Sequence, residues 1–439
     1  MKGPELQSAL AEASARRDTS RAGILVDFAL QADPPVTYLA ICPNSPSVAR
    51  AGMSVASRLE FPLFVAATLN QIDRSEGYTS WTPQSFVSWL EEENATMVDP
   101  PAVIVGLDHG GPWKKDVDFA RKIETDAALS EVERSIYACL EAGYELLHID
   151  ATADPFLLDE ASPESSLPVD LVVDRTIRLM RFAEETRREL VLPPIAYEVG
   201  TEEVSGGLTS VARFEEFVHR LDVGLRRERL TDCWPRFFVG DVGTDLHTAR
   251  FDQDLAQSLS DVIRPFGSML KGHYTDFVDS PDQYPVCGMG GANIGPEFSS
   301  IEFEAVLELA KLEHERVNTE TVARGAEEGG SSIVAVLTDV IVETDRWRKW
   351  LHASERNVPF ESLSRDRRRW LLGTGSRYVW ADARVVAARE KLYANLSDTL
   401  DADAFIQDRI EQRIEQYATS FRLEGLSDRL HRYLTVPSS

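Results

Sequence analysis

The sequence predicts an α/β chain closed as a (β/α)8 TIM barrel with a C-terminal helical extension, and three observations carry that expectation. Eight short apolar runs recur between residues 37 and 293, apolar on both faces as the strands of a covered parallel sheet must be. Stretches with helical spacing separate most of them, so strand and helix alternate along the chain. The glycine signature GxGxxG is missing after the first run, which leaves the doubly wound open sheet as the runner-up.

The runs are TYLAIC (37–42), PLFVAAT (62–68), AVIVGLD (102–108), ELLHID (145–150), IAYEVG (195–200), RFFVGD (236–241), FGSMLKGH (266–273) and VCGMGGAN (286–293). Helices are expected over 45–59, opened by Ser45 as cap and Pro46 in the first turn, and over 82–94, opened the same way by Thr82 and Pro83. Residues 116–142, 170–190, 211–229, 250–263 and 300–317 carry spaced apolar residues among charges, the pattern of helices with one buried face. The seventh connection, 274–285, holds Pro281 and Pro285 and reads mostly as loop. No solenoid-period repeat is present. The expected layout is an N-terminal helical segment over 1–36, the barrel over 37–318, and a helical extension over 319–439 packed on it.

Composition narrows the function classes. At 439 residues the chain exceeds a typical single domain of ~100–200 residues, and 43% hydrophobic residues supply a sizeable core. A net charge of -26 and a pI near 4.8 repel phosphate backbones, so no nucleic acid partner is expected. A sugar phosphate stays admissible, because local amides, a metal or a few arginines outweigh distant carboxylates. Cys42, Cys139, Cys233 and Cys287 form no CxxC pair and read as reduced, mostly buried thiols. The opening MKGPELQSALAEASARRD lacks the apolar core of a signal peptide, and no run approaches the ~20 apolar residues of a membrane span. A soluble cytoplasmic protein with no membrane partner is expected.

In a parallel barrel every strand points its C-terminal end at one face, where active sites lie. The residues at those ends are Asp108 and His109 (third run), His148 and Asp150 (fourth), Glu198 with Glu202 beyond (fifth), Asp241, Asp245 and His247 (sixth), His273 (seventh) and Asn293 (eighth). Neutral imidazoles and carboxylates suit a divalent metal such as Zn, Mn or Mg. His109, His247 and His273 are the metal candidates, brought together only by a barrel. Asp108 beside them is the acid/base candidate, with capping of the next helix as its structural alternative. His148 and Asp150 share one side of their strand; His148 is taken as a satisfied interior residue rather than a ligand, and Glu198 as a residue paired inside the barrel. The stretch GMGGANIG (288–295), including Gly291 and Gly295, presents amides to a phosphate or forms tight turns; SGG (205–207) is weaker. The basic islands RWRKW (346–350) and SRDRRRW (364–370) read as solvated helix faces, with an arginine reaching back to substrate phosphate as the alternative. GTGSRYVW (373–380) reads as a turn and a packed aromatic segment.

An ordered series of strings resembles one family. NQIDRSEGYTSWTPQSF (70–86) is similar to NQxxxxGGYTGMTPxxF, GLDHGGPW (106–113) to GGDHLGPxxW, and AGYELLHIDAT (142–152) to AGFxKIHLDAS. EVGTEEVSGG (198–207) resembles IGTEVPxPGG, and GHYTDF (272–277) resembles AHSTDY. The family is that of the tagatose-bisphosphate aldolase accessory subunits, the GatZ/KbaZ-like proteins, and the likeness runs from about residue 40 to at least 395. It implies a TIM barrel related to class II, metal-dependent aldolases, carbohydrate metabolism, and aldolase or C4-epimerase chemistry on a ketose or ketose phosphate such as tagatose or fructose phosphate. It supports Asp108, His109, Asp150, Glu202 and His273, with Asp108, Glu202 and Asp150 as catalytic residues, and places Asn70 and Asn293 near substrate. Candidate partners are a sugar or sugar phosphate, an aldolase catalytic subunit and further copies of the chain in a homo-oligomer. A non-catalytic role stabilising an aldolase is the second reading. A sugar-phosphate kinase ranks last, because no Walker loop or kinase catalytic loop occurs. The chain departs from the pattern in DHGGP for DHLGP, CPNSPS at the first strand end, GDVGTDLH for QPGVEFDH, and NIGPEFS for KVGPALT, where Asn293 replaces a lysine and Glu297 enters. These departures leave the sugar open.

Overall fold

The computed structural model describes residues 2–157, 166–200, 210–244, 250–324 and 330–435. Among them, eight parallel strands close into a barrel in chain order: β1 (Tyr38–Ile41), β2 (Leu63–Thr68), β3 (Val103–Gly110), β4 (Leu146–Ile149), β5 (Ala196–Gly200), β6 (Phe237–Val239), β7 (Met269–Gly272) and β8 (Met289–Ile294). Each overlaps one of the eight apolar runs, and β3 and β8 run on to Gly110 and Ile294. β8 pairs with β1 through Tyr38 and Gly291, which closes the ring and rules out the open sheet.

The helices are α1 (Gly3–Arg17), α2 (Arg21–Ala29), α3 (Pro46–Arg58), α4 (Pro83–Thr96), α5 (Asp116–Arg121), α6 (Thr125–Glu141), α7 (Val169–Glu189), α8 (Val211–Arg227), α9 (Gln253–Ile263) and α10 (Pro296–Arg324). Beyond them lie α11 (Ile333–Glu343), α12 (Arg365–Gly375), α13 (Ala383–Leu396), α14 (Ala402–Ser420) and α15 (Leu426–Thr435). Ser45 and Thr82 cap α3 and α4 as their sequence signals require, accepting from the amides of Val48 and Ser85. The single helix expected over 116–142 is instead two, because Lys122 ends α5 in the left-handed region at φ 47°.

α1 and α2 precede the barrel, and α2 closes its N-terminal end. Arg21 pairs with Glu145 ahead of β4, Arg236 ahead of β6 pairs with Asp27, and the Tyr38 hydroxyl donates to the Leu25 carbonyl at 2.8 Å. The barrel floor above it is aromatic, with Tyr38 and Phe64 centroids 5.2 Å apart and Phe64 and Phe237 6.2 Å apart. The buried histidines and carboxylates gather at the opposite, C-terminal mouth.

The β7–β8 connection forms no α-helix, as its prolines require, and α14 covers it. Tyr284 in that connection is fully buried against Phe421 (5.6 Å), and the Tyr417 hydroxyl lies 3.1 Å from the Thr275 carbonyl oxygen. Glu297, which entered where relatives differ, faces this helix rather than the mouth: it accepts from Tyr417 at 2.6 Å and pairs with Arg413.

Candidate active site

Neighbouring residues of a flat strand point to opposite faces, yet Asp108 and His109 both reach the mouth. The reason is a register shift of β3 against β4 between Leu107 and Gly110, with His109 at φ 50°. The two glycines after His109 make the shift possible. A Cβ on Gly110 would lie 2.8 Å from the His148 carbonyl oxygen, and one on Gly111 would lie 1.5 Å from that of Asp150. DHGG is thus the sequence of a bulge that aims two side chains at one cavity.

Ligand atoms of Asp108, His109, His148 and His273 lie within 4.8 Å of one another. Asp150 accepts from His109 Nδ1 at 2.5 Å, and Glu198 meets His273 Nε2 at 2.9 Å. His109 and His273 each have their far nitrogen bound to a carboxylate, so the near nitrogens, His109 Nε2 and His273 Nδ1, face each other at 3.2 Å. Two lone pairs at that distance repel unless a proton or cation lies between them. Asp108 Oδ1 lies 3.1 Å from His148 Nδ1 and 3.7 Å from His273 Nε2, while Oδ2 accepts from Asn293 Nδ2 at 3.2 Å. The His109 amide nitrogen lies 3.2 Å from His148 Nδ1.

His148 corrects the sequence reading. It is buried, as expected of an interior residue, but not satisfied: its Nε2 has no hydrogen-bond partner among the described residues. Glu198 is paired inside the barrel as expected, with Lys271 Nζ at 2.5 Å in addition to His273. Asp150 is anchored by Lys114 Nζ at 2.7 Å and by Thr152 Oγ1 at 2.5 Å. His247 and Glu202, read as ligand and catalytic residue, lie outside the described residues, as do Asp245 and 205–207.

Burial opposes every charge here, and the neighbours decide the outcome. Burial pushes Asp108 up, but His109, His273 and His148 outweigh it and hold the carboxyl well below its usual range. Asp150 is held down against burial by Lys114 and His109. Glu198 falls to about 2, with Lys271 and His148 overcoming burial. Burial lowers His109, yet Asp108 and Asp150 lift it to about 9. His273 ends at about 4, because burial and the His109 charge prevail over Asp108 and Glu198. The pocket accommodates one positive charge between these two rings.

The cluster opens into a cavity of about 200 Å³ lined by Asp108, His109, His273 and Asn293 on one side and by Tyr78, Trp350, Arg377 and Tyr378 on the other. Asn70 and Gly295 also line it. Asn70 spends its amide on the backbone, donating to Lys114 O at 2.9 Å and accepting from Asp116 N at 3.0 Å, so it shapes the loop after β3. Gly291 lies within β8, where a Cβ would meet the Lys271 side chain at 3.1 Å, and is not part of the wall. Lys114, Asn44 and Arg377 belong to the wall and carried no readable local signal, although the KK after GGPW marked Lys114's loop.

Asp276, also on the wall, yields a pH prediction. Its Oδ1 accepts from the amides of Gly295 (3.0 Å) and Glu297 (2.7 Å), but burial, with Glu297 adding to it, raises the carboxyl to about 7. The folded state therefore holds this proton more tightly than the unfolded chain. The group's stability contribution is fully present below about pH 4 and is lost as pH rises through about 7. Asp276→Asn keeps an acceptor for both amides. It is expected to gain stability over the parent between pH 5 and 8, by up to about 4 kcal/mol, read from urea midpoints at each pH.

A closed parallel barrel with imidazoles, carboxylates and an amide converging at its C-terminal mouth defines the class: a (β/α)8 barrel with a polar, histidine- and carboxylate-lined mouth. The chain belongs to the D-tagatose-1,6-bisphosphate aldolase subunit GatZ/KbaZ-like family, whose model matches residues 28–429. That membership places it among aldolase-related proteins of carbohydrate metabolism. Among solved structures it is similar to a probable tagatose 6 phosphate kinase from Sinorhizobium meliloti 1021, at TM-score 0.70 and 21% identity, over 88% of this chain and 100% of that one. It is also similar to the fructose-bisphosphate aldolase of Campylobacter jejuni, at TM-score 0.51 and 10% identity, over 92% of this chain and 94% of that one. At those identities the likeness shows the fold. No described helix is long and apolar enough to cross a membrane.

Proposed function

We propose that this chain is a metal-dependent lyase or C4 epimerase that performs aldol chemistry on a ketose or ketose phosphate. The observation that carries the reading is the pair of imidazole nitrogens held face to face at 3.2 Å, each backed by a carboxylate, beside an ionised Asp108. Carboxylate-backed imidazoles are the usual outer shell of a metal site. The unpartnered, buried His148 Nε2 adds a donor that hydrogen bonding within the described residues leaves idle. The donor set fits a divalent cation such as Zn, Mn or Mg. His109, His273 and His148 would hold it, with His247 a further candidate from outside the described residues. Such a cation supplies a Lewis acid that polarises a carbonyl and offsets charge developing on its oxygen.

The chain's own residues supply the proton chemistry. Asp108, ionised and on the cavity wall, takes the proton of the C4 hydroxyl of a bound ketose. The C3–C4 bond breaks, its electron pair passing to C3 and the C2 carbonyl oxygen, and C4 leaves as an aldehyde. Reversal on the opposite face of that aldehyde, with the proton returned from Asp108, gives the C4 epimer. Asn293 orients the base through Oδ2, and Asp150 and Glu198 fix the ring tautomers. Glu202 remains a candidate relay in this scheme.

The test is metal analysis of the purified chain. About one divalent ion per chain is expected, and His109→Ala and His273→Ala each reduce it at least about tenfold, the scale of a lost ligand or its support. A second reading rests on the family's description as an aldolase subunit: the chain stabilises a separate aldolase and turns nothing over itself. A metal-free preparation that is inert toward ketose phosphates, yet prolongs the half-life of a class II tagatose-bisphosphate aldolase, would decide for that role.

A further inference from the structure

The cations on the cavity wall are not treated alike. Lys114 pairs with Asp150 and Lys349 pairs with Asp116. Arg377, brought to the mouth by the C-terminal extension, is only 6% exposed, yet among the described residues no carboxylate pairs with it. Its Nη2 donates to the Tyr378 hydroxyl at 2.9 Å, its guanidinium lies over the rings of Trp350 (4.9 Å) and Tyr378 (4.8 Å), and Nη1 has no hydrogen-bond partner among the described residues. Asp276, the nearby carboxylate, turns Oδ1 to two backbone amides instead. Asn44 on the same wall is 3% exposed; its Oδ1 accepts from Gln71 (2.7 Å) and Tyr78 (2.8 Å), and its Nδ2 is also unpartnered among the described residues. A guanidinium cannot shed its proton, and burying it without a counter-charge is costly. Two idle donors in one cavity, one of them permanently charged, describe a seat for an anion.

We infer that Arg377 and Asn44 form an anion subsite that takes the terminal carboxylate or phosphate monoester of a ketose whose reacting carbons lie against Asp108, His109 and His273. The inference rests on the reading of this cavity as a ketose site. The aromatic wall of Tyr78, Trp350 and Tyr378 offers apolar faces to the sugar's C–H groups between the two ends. Asn293 Oδ1, unpartnered among the described residues, is an acceptor for a hydroxyl at the other end of the cavity. Anion selection would then be the contribution of the extension, and chemistry that of the barrel.

The test is calorimetric binding of D-fructose, D-fructose 6-phosphate, D-fructuronate and inorganic phosphate to the full chain carrying Asp108→Asn, so that turnover is suppressed. At least one of the two charged ketoses is expected to bind on the order of tenfold more tightly than fructose, the scale of a charge-assisted bidentate contact. The charged arm that gains identifies carboxylate or phosphate. Arg377→Met brings that preference to within about twofold, and Arg377→Lys restores part of it, because a point charge without the planar fork holds such groups less well. Asn44→Asp sets a carboxylate beside the anion and weakens the charged ligand alone; it carries the test if Arg377→Met does not fold. Equal affinity for neutral and charged ketoses in the parent, or a preference that survives in folded Arg377→Met, overturns the subsite. A metal-free, inert chain that still shows the Arg377-dependent preference overturns the catalytic reading and leaves the subsite standing.

Discussion

Asp108→Asn lowers turnover of a ketose substrate by about 10²- to 10⁴-fold, the range for loss of a positioned general base. The substitution suits the site unusually well. His148 Nδ1 lies 3.1 Å from Oδ1 and Asn293 Nδ2 donates to Oδ2. An asparagine at 108 keeps the size and shape of the carboxylate, and its oxygen still accepts from Asn293. The barrel and its bulge therefore persist, while a carboxylate that three imidazoles hold ionised is gone. The measurement is initial rate across a panel of ketoses and ketose phosphates, with NMR at C3 and C4 to follow bond cleavage and inversion. Metal content gives the second readout. A base leaves it near the parent value on substitution, whereas a ligand loses it as His273→Ala does. Full activity in Asp108→Asn would remove this carboxylate from the mechanism.

The barrel was legible because parallel strands covered on both faces read as unbroken apolar runs, and TYLAIC through VCGMGGAN supply eight of them. Asp108, His109 and His273 were legible for a related reason: a titratable residue ending such a run has little to do in a buried sheet except serve the mouth. What stayed hidden depends on neighbours far along the chain. That two adjacent side chains face one cavity requires the shift against β4, which Gly110 and Gly111 permit through a carbonyl contact no local pattern records. Period two put His148 inside the barrel but not at what depth, and depth decides whether its second nitrogen finds a partner. Arg377 sat in GTGSRYVW, read as a turn and a packed segment, while the conspicuous islands drew the notice. Their charges are paired with carboxylates, Arg348 with Asp345, Arg367 with Glu355 and Arg369 with Glu304, and Arg346 and Lys349 reach Asp116 on the cavity wall.

The extension is held to the barrel by a charge that the core cannot leave alone, and breaking it should cost more than breaking any surface pair. Glu302 on α10 is fully buried. Its Oε2 accepts from Ser45, the α3 cap, at 2.6 Å, and its Oε1 pairs with Arg389 of α13 at 2.7 Å. Arg389 also donates to Ser47 at 2.9 Å and lies over the Trp380 ring at 5.4 Å. Arg389→Met leaves Glu302 as an uncompensated buried carboxylate, at a cost of about 3–5 kcal/mol. Adding Glu302→Leu removes the stranded charge, so the double variant should recover at least half of that loss, since an apolar pair of similar volume often replaces a buried ion pair at little cost. Urea unfolding of the parent, both single variants and the double variant closes the cycle and yields the coupling energy. Ser45 adjoins Asn44 on the cavity wall, so loosening this joint should also weaken anion binding in folded Arg389→Met. If the double variant is no more stable than Arg389→Met, the buried charge is not what fastens α13 to the barrel, and the packing of α14 against α3 and α10 carries the joint instead.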